Sequence, residues 1–213
     1  MMFYIDFHTH RVPASKDVIA IVDGRDTWGV HPWNSLPQPL QRRGEWKRFI
    51  VPPSFGGAGG GFLAIGECGL DGLRGPSMER QEEVFIRQIK LSEEVEKPLI
   101  IHCVKALDRL LQLRKEHHPT QPWMFHGFRG KPQQLRSLLE AGFFVSFGFT
   151  HNEESLRICP IDRLLLETDD DERHSITELY NNVADKRGLE MTNLVKMMAE
   201  NYRAFFQKEP LLT

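Results

Sequence analysis

Short apolar runs alternate with helix-like segments along almost the whole chain, the pattern of parallel strands joined by crossover helices. Runs near Tyr4 to His8, Trp28 to His31, Phe62 to Glu67, Leu99 to His102, Trp123 to His126, Phe143 to Phe147 and Leu164 to Glu167 read as strands, with Ile19 to Val22 a weaker candidate. Between them lie recognisable helix ends. Ser77 can cap a helix that runs to about Glu96, with Val84, Phe85, Ile89 and Val95 on its apolar face, and Pro98 stops it before the next strand. Ala106, Leu107, Leu110 and Leu111 mark a second helix, and Leu135, Leu138 and Leu139 a third that ends at Gly142. Thr150 with Glu153, and Ser175 with Glu178, have the spacing of capping boxes. Gly188 separates the helix after Ser175 from a last one over roughly Thr192 to Phe206.

The ends of these strands carry the chemistry. His8 and His10 close the run Phe3-Tyr4-Ile5-Asp6-Phe7, and positions i and i+2 of a strand share a face, so both imidazoles can reach one cation. Glu67, His102, His126 and Asp169 fall at the C-terminal ends of later strands. A TIM-type (β/α) barrel gathers its active site at those ends, so the expected fold is an α/β barrel of that type, formed by one domain over 1–213. Imidazole and carboxylate donors without nearby thiolate pairs suit zinc, manganese or magnesium. Six donors exceed one four-coordinate site, and two divalent ions are the economical reading, with the machinery of hydrolysis.

Composition excludes some classes. Charged residues make up 26% and nearly balance at a net charge of −2, so no whole-chain field draws the protein to nucleic acid or an anionic membrane, although a local basic groove stays open. Cys68, Cys103 and Cys159 are too few and too scattered for a zinc ribbon or a disulfide framework and read as reduced, buried thiols. Met1-Met2-Phe3-Tyr4 lacks the basic start of a secretion signal, and no apolar run approaches the roughly 20 residues of a membrane span. The expected setting is cytoplasmic, with no membrane partner and no obligate protein partner. The run Gly56 to Gly61 precedes a strand rather than a helix and reads as a connector, not a phosphate loop.

Taken in order, the pieces Asp6-Phe7-His8-Thr9-His10, Gly29-Val30-His31-Pro32, Ile65-Gly66-Glu67-Cys68-Gly69-Leu70-Asp71, Pro98 to His102 before Ala106, His126-Gly127-Phe128-Arg129-Gly130 and Leu166-Glu167-Thr168-Asp169 resemble the TatD family of metal-dependent hydrolases, within the wider amidohydrolase group. Gln81, Phe85 and Gln88 also fit the family spacing, as does Asn201 with Phe205 and Phe206. The resemblance implies His8 and His10 on one ion, His102 and His126 on the second, and Glu67 and Asp169 bridging or completing the site. It makes Asp169 the group that orients or deprotonates the attacking water, with Glu67 beside it in the catalytic set. It sets His31 at the rim of a substrate pocket. Asp6 lies deeper on the first strand, in a supporting rather than ligating position. Cys68 and Cys103 neighbour Glu67 and His102 but alternate to the opposite face.

The chain departs from the family pattern in places. Only 17 residues separate His10 from Trp28, too few for a helix, a strand and their loops, so the barrel is expected to be irregular or shortened between the first strand and the His31 segment. Val104 stands where the family often has Arg, with Lys105 beside it, and Gly72 stands where an aromatic residue is common. Asp170 and Asp171 replace a Pro-Tyr and would repel a phosphodiester unless Arg129, Lys105, Arg74 or Arg173 offsets them. Lys105 and Arg129 are the candidate phosphate contacts. The leading expectation is a metal-dependent hydrolase of phosphodiesters, in DNA or a smaller nucleotide-like substrate. The alternatives are an amidohydrolase or phosphatase for a small metabolite, and a metal-stabilised binding scaffold.

Overall fold

The computed structural model describes residues 3–34 and 62–210. In chain order its elements are β1 (Tyr4–Thr9), β2 (Val18–Val22), β3 (Ile65–Asp71), α1 (Met78–Val95), β4 (Leu99–Val104), α2 (Leu107–His117), β5 (Trp123–Phe125), α3 (Pro132–Glu140), β6 (Phe144–Phe147), α4 (Glu153–Ile158), a 3-10 turn (Ile161–Arg163), β7 (Leu164–Leu166), α5 (Ile176–Arg187) and α6 (Met191–Phe206). They fall into two compact units, one of Met1–Val22 with Trp123–Thr213, the other of Asp23–Pro122. The Gly56 to Gly61 run lies outside the described residues.

In the first unit β1 and β2 pair in parallel, with Tyr4 opposite Val18 and Thr9 opposite Val22. Residues 10–17 connect them without a helix, so this first crossover is the shortened one that the spacing required. β5, β6 and β7 are also parallel neighbours, and Thr9 bridges to Asp169 just past β7. Helix packing fixes β1 from one side. Phe7 is fully buried against Tyr202 and Phe206 of α6, at ring distances of 6.2 and 6.3 Å. The Tyr180 hydroxyl of α5 accepts from Ile5 N and donates to Ile5 O, both at 3.0 Å. Asn201 of α6 donates to Ile161 O and Leu164 O, both at 2.7 Å, which holds the helix on the start of β7.

In the second unit β3 and β4 pair in parallel, with Gly69 opposite His102. Two buried glutamines of α1 tie the helix to the backbone around them. Gln88 accepts from Val30 N at 2.7 Å and donates to Val30 O at 3.1 Å. Gln81 accepts from Asp71 N at 2.7 Å and donates to the carbonyls of Asp71, Arg74 and Pro76. Backbone groups that leave regular structure inside a core need such partners, which is why these positions are amides and not aliphatic residues.

Several expected elements shift. Trp28 to His31 is not a strand: Thr27 makes one bridge to Ala64, Trp28 N donates to Ala64 O, Trp28 O accepts from Gly66 N, and the chain then turns at Pro32. The weaker candidate at Ile19 to Val22 is the true second strand. The helix expected from Thr150 starts instead at the Asn152 cap, whose side chain accepts from Ser155 N at 2.9 Å. Ser77 sits at the N-cap of α1 without a side-chain cap bond, whereas Ser175 and Glu178 complete the capping box of α5. Among the described residues no helix is long and apolar enough to cross a membrane.

Candidate metal centre

The first unit gathers imidazole and carboxylate donors at the C-terminal ends of its strands; in the second, β3 begins at Ile65 rather than Phe62, so Glu67 and His102 lie within β3 and β4 and not at their ends, and His31 lies in the segment before Pro32. In the first, strand alternation puts Asp6, His8 and His10 on one side of β1. His8 is fully buried, while the His10 side chain, one residue past the strand, is 44% exposed. Asp169 is bolted between them by its backbone: its N–H donates to His8 O at 3.0 Å and its carbonyl accepts from His10 N at 3.2 Å. Its Oδ1 then lies 3.6 Å from His8 Nε2 and 3.5 Å from His10 Nε2. Asp169 holds φ at 53°, in the left-handed region that Asp tolerates better than most residues. Strained backbone of this kind clusters at functional sites. His126, directly after β5, brings its ring to 4.7 Å from that of His8 and its Nδ1 to 3.3 Å from Glu167 Oε1.

Asp6 lies one step deeper and supports this group. Its carboxyl accepts from Thr168 N at 3.0 Å and Thr168 Oγ1 at 2.6 Å, which fixes the segment that carries Asp169. Burial pushes its pKa up to about 7, against the two Thr168 hydrogen bonds and with the nearby Glu167 charge adding to the rise.

The second unit joins Glu67 and His102 to His31. Glu67 Oε1 stands 2.9 Å from His102 Nδ1 and 3.1 Å from His31 Nε2. His102 Nε2 in turn lies 2.9 Å from Asp71 Oδ2. Burial alone would raise the Asp71 carboxyl, but hydrogen bonds from Trp33, His102, Leu73 N and Arg74 N outweigh it, and the group sits below its ordinary range. A carboxylate on one imidazole nitrogen orients the ring and leaves the other nitrogen toward a cation.

Two donor sets follow: His8, His126 and Asp169 in one unit, and His31, Glu67 and His102 in the other, each with one donor atom per residue within 4.8 Å of the others. Bonds of about 2.0–2.2 Å to a shared ion would close that span with small side-chain shifts. Glu167 supplies a second sign of fit. It is fully buried, and its Oε2 has no hydrogen-bond partner among the described residues, a costly state for a carboxylate oxygen unless positive charge sits close by. We expect Glu167→Gln to leave the fold intact and to weaken divalent-cation binding by roughly 10- to 100-fold, read by calorimetric titration. Unchanged affinity would remove Glu167 from the centre.

The remaining expected residues are placed less tightly. Lys105 and Arg129 are exposed directly past β4 and in the loop past β5, Lys105 with φ at 52°. Arg173 approaches Asp171 at 3.7 Å and His174 Nδ1 approaches it at 3.0 Å, so one of the two extra acids is offset locally. Cys68 and Cys159 are buried and Cys103 is half-buried, all three free thiols. Burial pushes the Cys103 thiol up to about 12 and the Cys68 thiol well above its ordinary value, which disfavours thiolate ligation. Asp71 and Glu167 were not among the expected site residues. The signal was present, since Asp71 shares strand parity with Glu67 as Glu167 does with Asp169.

Parallel strands, crossover helices and imidazole–carboxylate groups on and beside those strands define an α/β protein with groups that could hold divalent cations. The family model described as TatD related DNase matches residues 5–207, and the chain belongs to that family. It is 35% identical over 153 residues to the 3'-5' ssDNA/RNA exonuclease TatD of Erwinia billingiae, covering 67% of this chain and 56% of that protein. It is 29% identical over 167 residues to the uncharacterized metal-dependent hydrolase YcfH of Escherichia coli K12, covering 68% and 63%. The chain thus spans rather more than half the length of these curated relatives. The crystal structure of YJJV, a TatD homolog from Escherichia coli K12, matches with a TM-score of 0.67 at 21% identity, over 92% of this chain and 79% of that one. A TatD family hydrolase from Entamoeba histolytica matches with a TM-score of 0.61 at 19% identity, over 69% and 64%. These likenesses show the fold, and the parallel strands and alternating helices fit an α/β architecture of TIM-barrel type.

Proposed function

We propose that the chain is a divalent-metal-dependent phosphodiesterase of TatD type that cuts single-stranded nucleic acid, with residues 1–213 acting as one hydrolase domain. The observation that carries the reading is the presence of a histidine–carboxylate donor set in each unit, His8, His126 and Asp169 in one and His31, Glu67 and His102 in the other. The proposed ligands are His8, His10, His126 and Asp169 from one unit and Glu67 and His102 from the other, serving two ions, zinc, manganese or magnesium. Such ions, when bound, bring the pKa of water toward about 7 and stabilise charge on phosphodiester oxygens. Asp169 positions the attacking water and takes its proton, and within its own unit Glu67 holds His31 and His102 through Oε1. Lys105 and Arg129 are proposed phosphate contacts. The nucleic-acid substrate draws support from the name of the Erwinia relative.

Val104 at the Arg position, Gly72 at the aromatic position and the exposed Asp170 favour a second reading, a small-metabolite phosphatase or amidohydrolase. A metal-supplemented screen separates the two. Single-stranded DNA, small phosphodiesters, phosphomonoesters and amides would be tested side by side. Cutting of DNA with salt-sensitive affinity is expected. Turnover of phosphomonoesters or amides alone would replace the nuclease reading with the second one.

A further inference from the structure

We propose that Trp33, with the Arg74 guanidinium over its ring, forms a nucleotide-recognition platform, the indole stacking on an unpaired base and the guanidinium meeting a backbone phosphate. This rests on the phosphodiesterase reading and adds to it the part of the substrate that is recognised. Trp33 is 45% exposed, yet it is held like a core residue. Its indole N–H donates to Asp71 Oδ2 at 2.6 Å, and its backbone N–H donates to His31 Nδ1 at 3.2 Å. The ring makes T-shaped contacts with His31 at 4.6 Å and with His102 at 5.7 Å between centroids. A wet aromatic ring is thereby locked against two imidazoles of the donor set, where a reacting phosphodiester would be expected.

The seat beneath the ring is rigid as well. A Cβ at Gly75, where φ is 91°, would come within 2.5 Å of Pro32 O and 3.0 Å of Trp33 Cα, so the loop after β3 is pressed directly onto the Trp33 backbone. Gln81 pins that loop through the carbonyls of Asp71, Arg74 and Pro76. Arg74 then extends from the pinned loop with its guanidinium carbon 4.8 Å from the indole centroid. Stacked guanidinium retains in-plane N–H donors suited to phosphate oxygens. Aromatic stacking is the sequence-tolerant way to grip single strands, whose bases are already exposed. Arg74 follows by two positions Gly72, the place from which a family aromatic is missing.

The test compares wild type, Trp33→Ala, Trp33→Phe and Arg74→Ala on a single-stranded oligodeoxynucleotide and on an abasic strand of equal length. With divalent cation present, Trp33→Ala is expected to raise KM for the base-bearing strand about tenfold with kcat changed less than about twofold. Trp33→Phe also loses the bond to Asp71, yet it is expected to restore most of the affinity. Arg74→Ala is expected to raise KM on both strands. Indole fluorescence gives a readout independent of cutting: the base-bearing strand, but not the abasic one, is expected to quench wild type more than Trp33→Phe. Equal losses on both strands for Trp33→Ala, or equal quenching of wild type and Trp33→Phe, would overturn the platform. Failure of wild type to cut either strand, with the selective quenching present, would overturn only the phosphodiesterase reading.

Discussion

Asp169→Asn is expected to keep the fold and to lose roughly 10²- to 10⁴-fold in kcat. The main-chain bonds of residue 169 to His8 and His10 do not depend on the side chain, and Asn accepts a left-handed φ of 53° as readily as Asp does. What disappears is the anionic oxygen that lies 3.6 and 3.5 Å from the two imidazoles, and with it the proposed cation donor and the proposed base for water. A circular dichroism spectrum and melting curve close to wild type, with activity in the metal-supplemented assay reduced to background, is the expected pair of results. Activity within threefold of wild type would show that the base lies elsewhere.

Gly69→Ala is expected to be the most damaging single methyl in the described chain. Gly69 has φ at 136°, a conformation that L side chains rarely adopt, and a Cβ there would stand 2.1 Å from His102 O on the paired strand. Relief requires β3 and β4 to separate beside His102, so strain and lost pairing add. A loss of more than ~4 kcal/mol is expected, a large part of the ~5–15 kcal/mol that holds a domain together. In a chain of this size that is a fall in Tm on the order of 10 °C or failure to accumulate as soluble protein. A melting temperature within 2 °C of wild type would show that the strands are not so closely joined.

Much of this arrangement was legible in the residues because strand parity is a short-range rule. His8 with His10 could be placed on one face from spacing alone, and Glu67, His102, His126 and Asp169 from their positions at the ends of apolar runs. Glu167 and Asp71 follow from the same rule, but counting one donor per later strand hid them. Val18–Val22 reads poorly as a strand because a buried parallel strand is apolar throughout and shows no alternation. Trp28 to His31 reads too well, since its apolar residues pack while only a single bridge pairs its start with Ala64. Asn152 outcompeted Thr150 as a cap because its side chain reaches Ser155 N, a choice set by where the chain enters the helix rather than by composition. His31 was expected at a pocket rim, and its place 3.1 Å from Glu67 Oε1 depends on Gln88 holding Val30, a contact across 58 positions that no local pattern reveals.

Counting cations tests the metal centre most directly. Purified protein stripped with chelator would be titrated with zinc, manganese and magnesium, with elemental analysis of the untreated material alongside. Binding of about two divalent ions per chain, lost together in a variant lacking both His8 and His102, is the expected result. Titrations that saturate at none, in protein that is folded by circular dichroism, would contradict it.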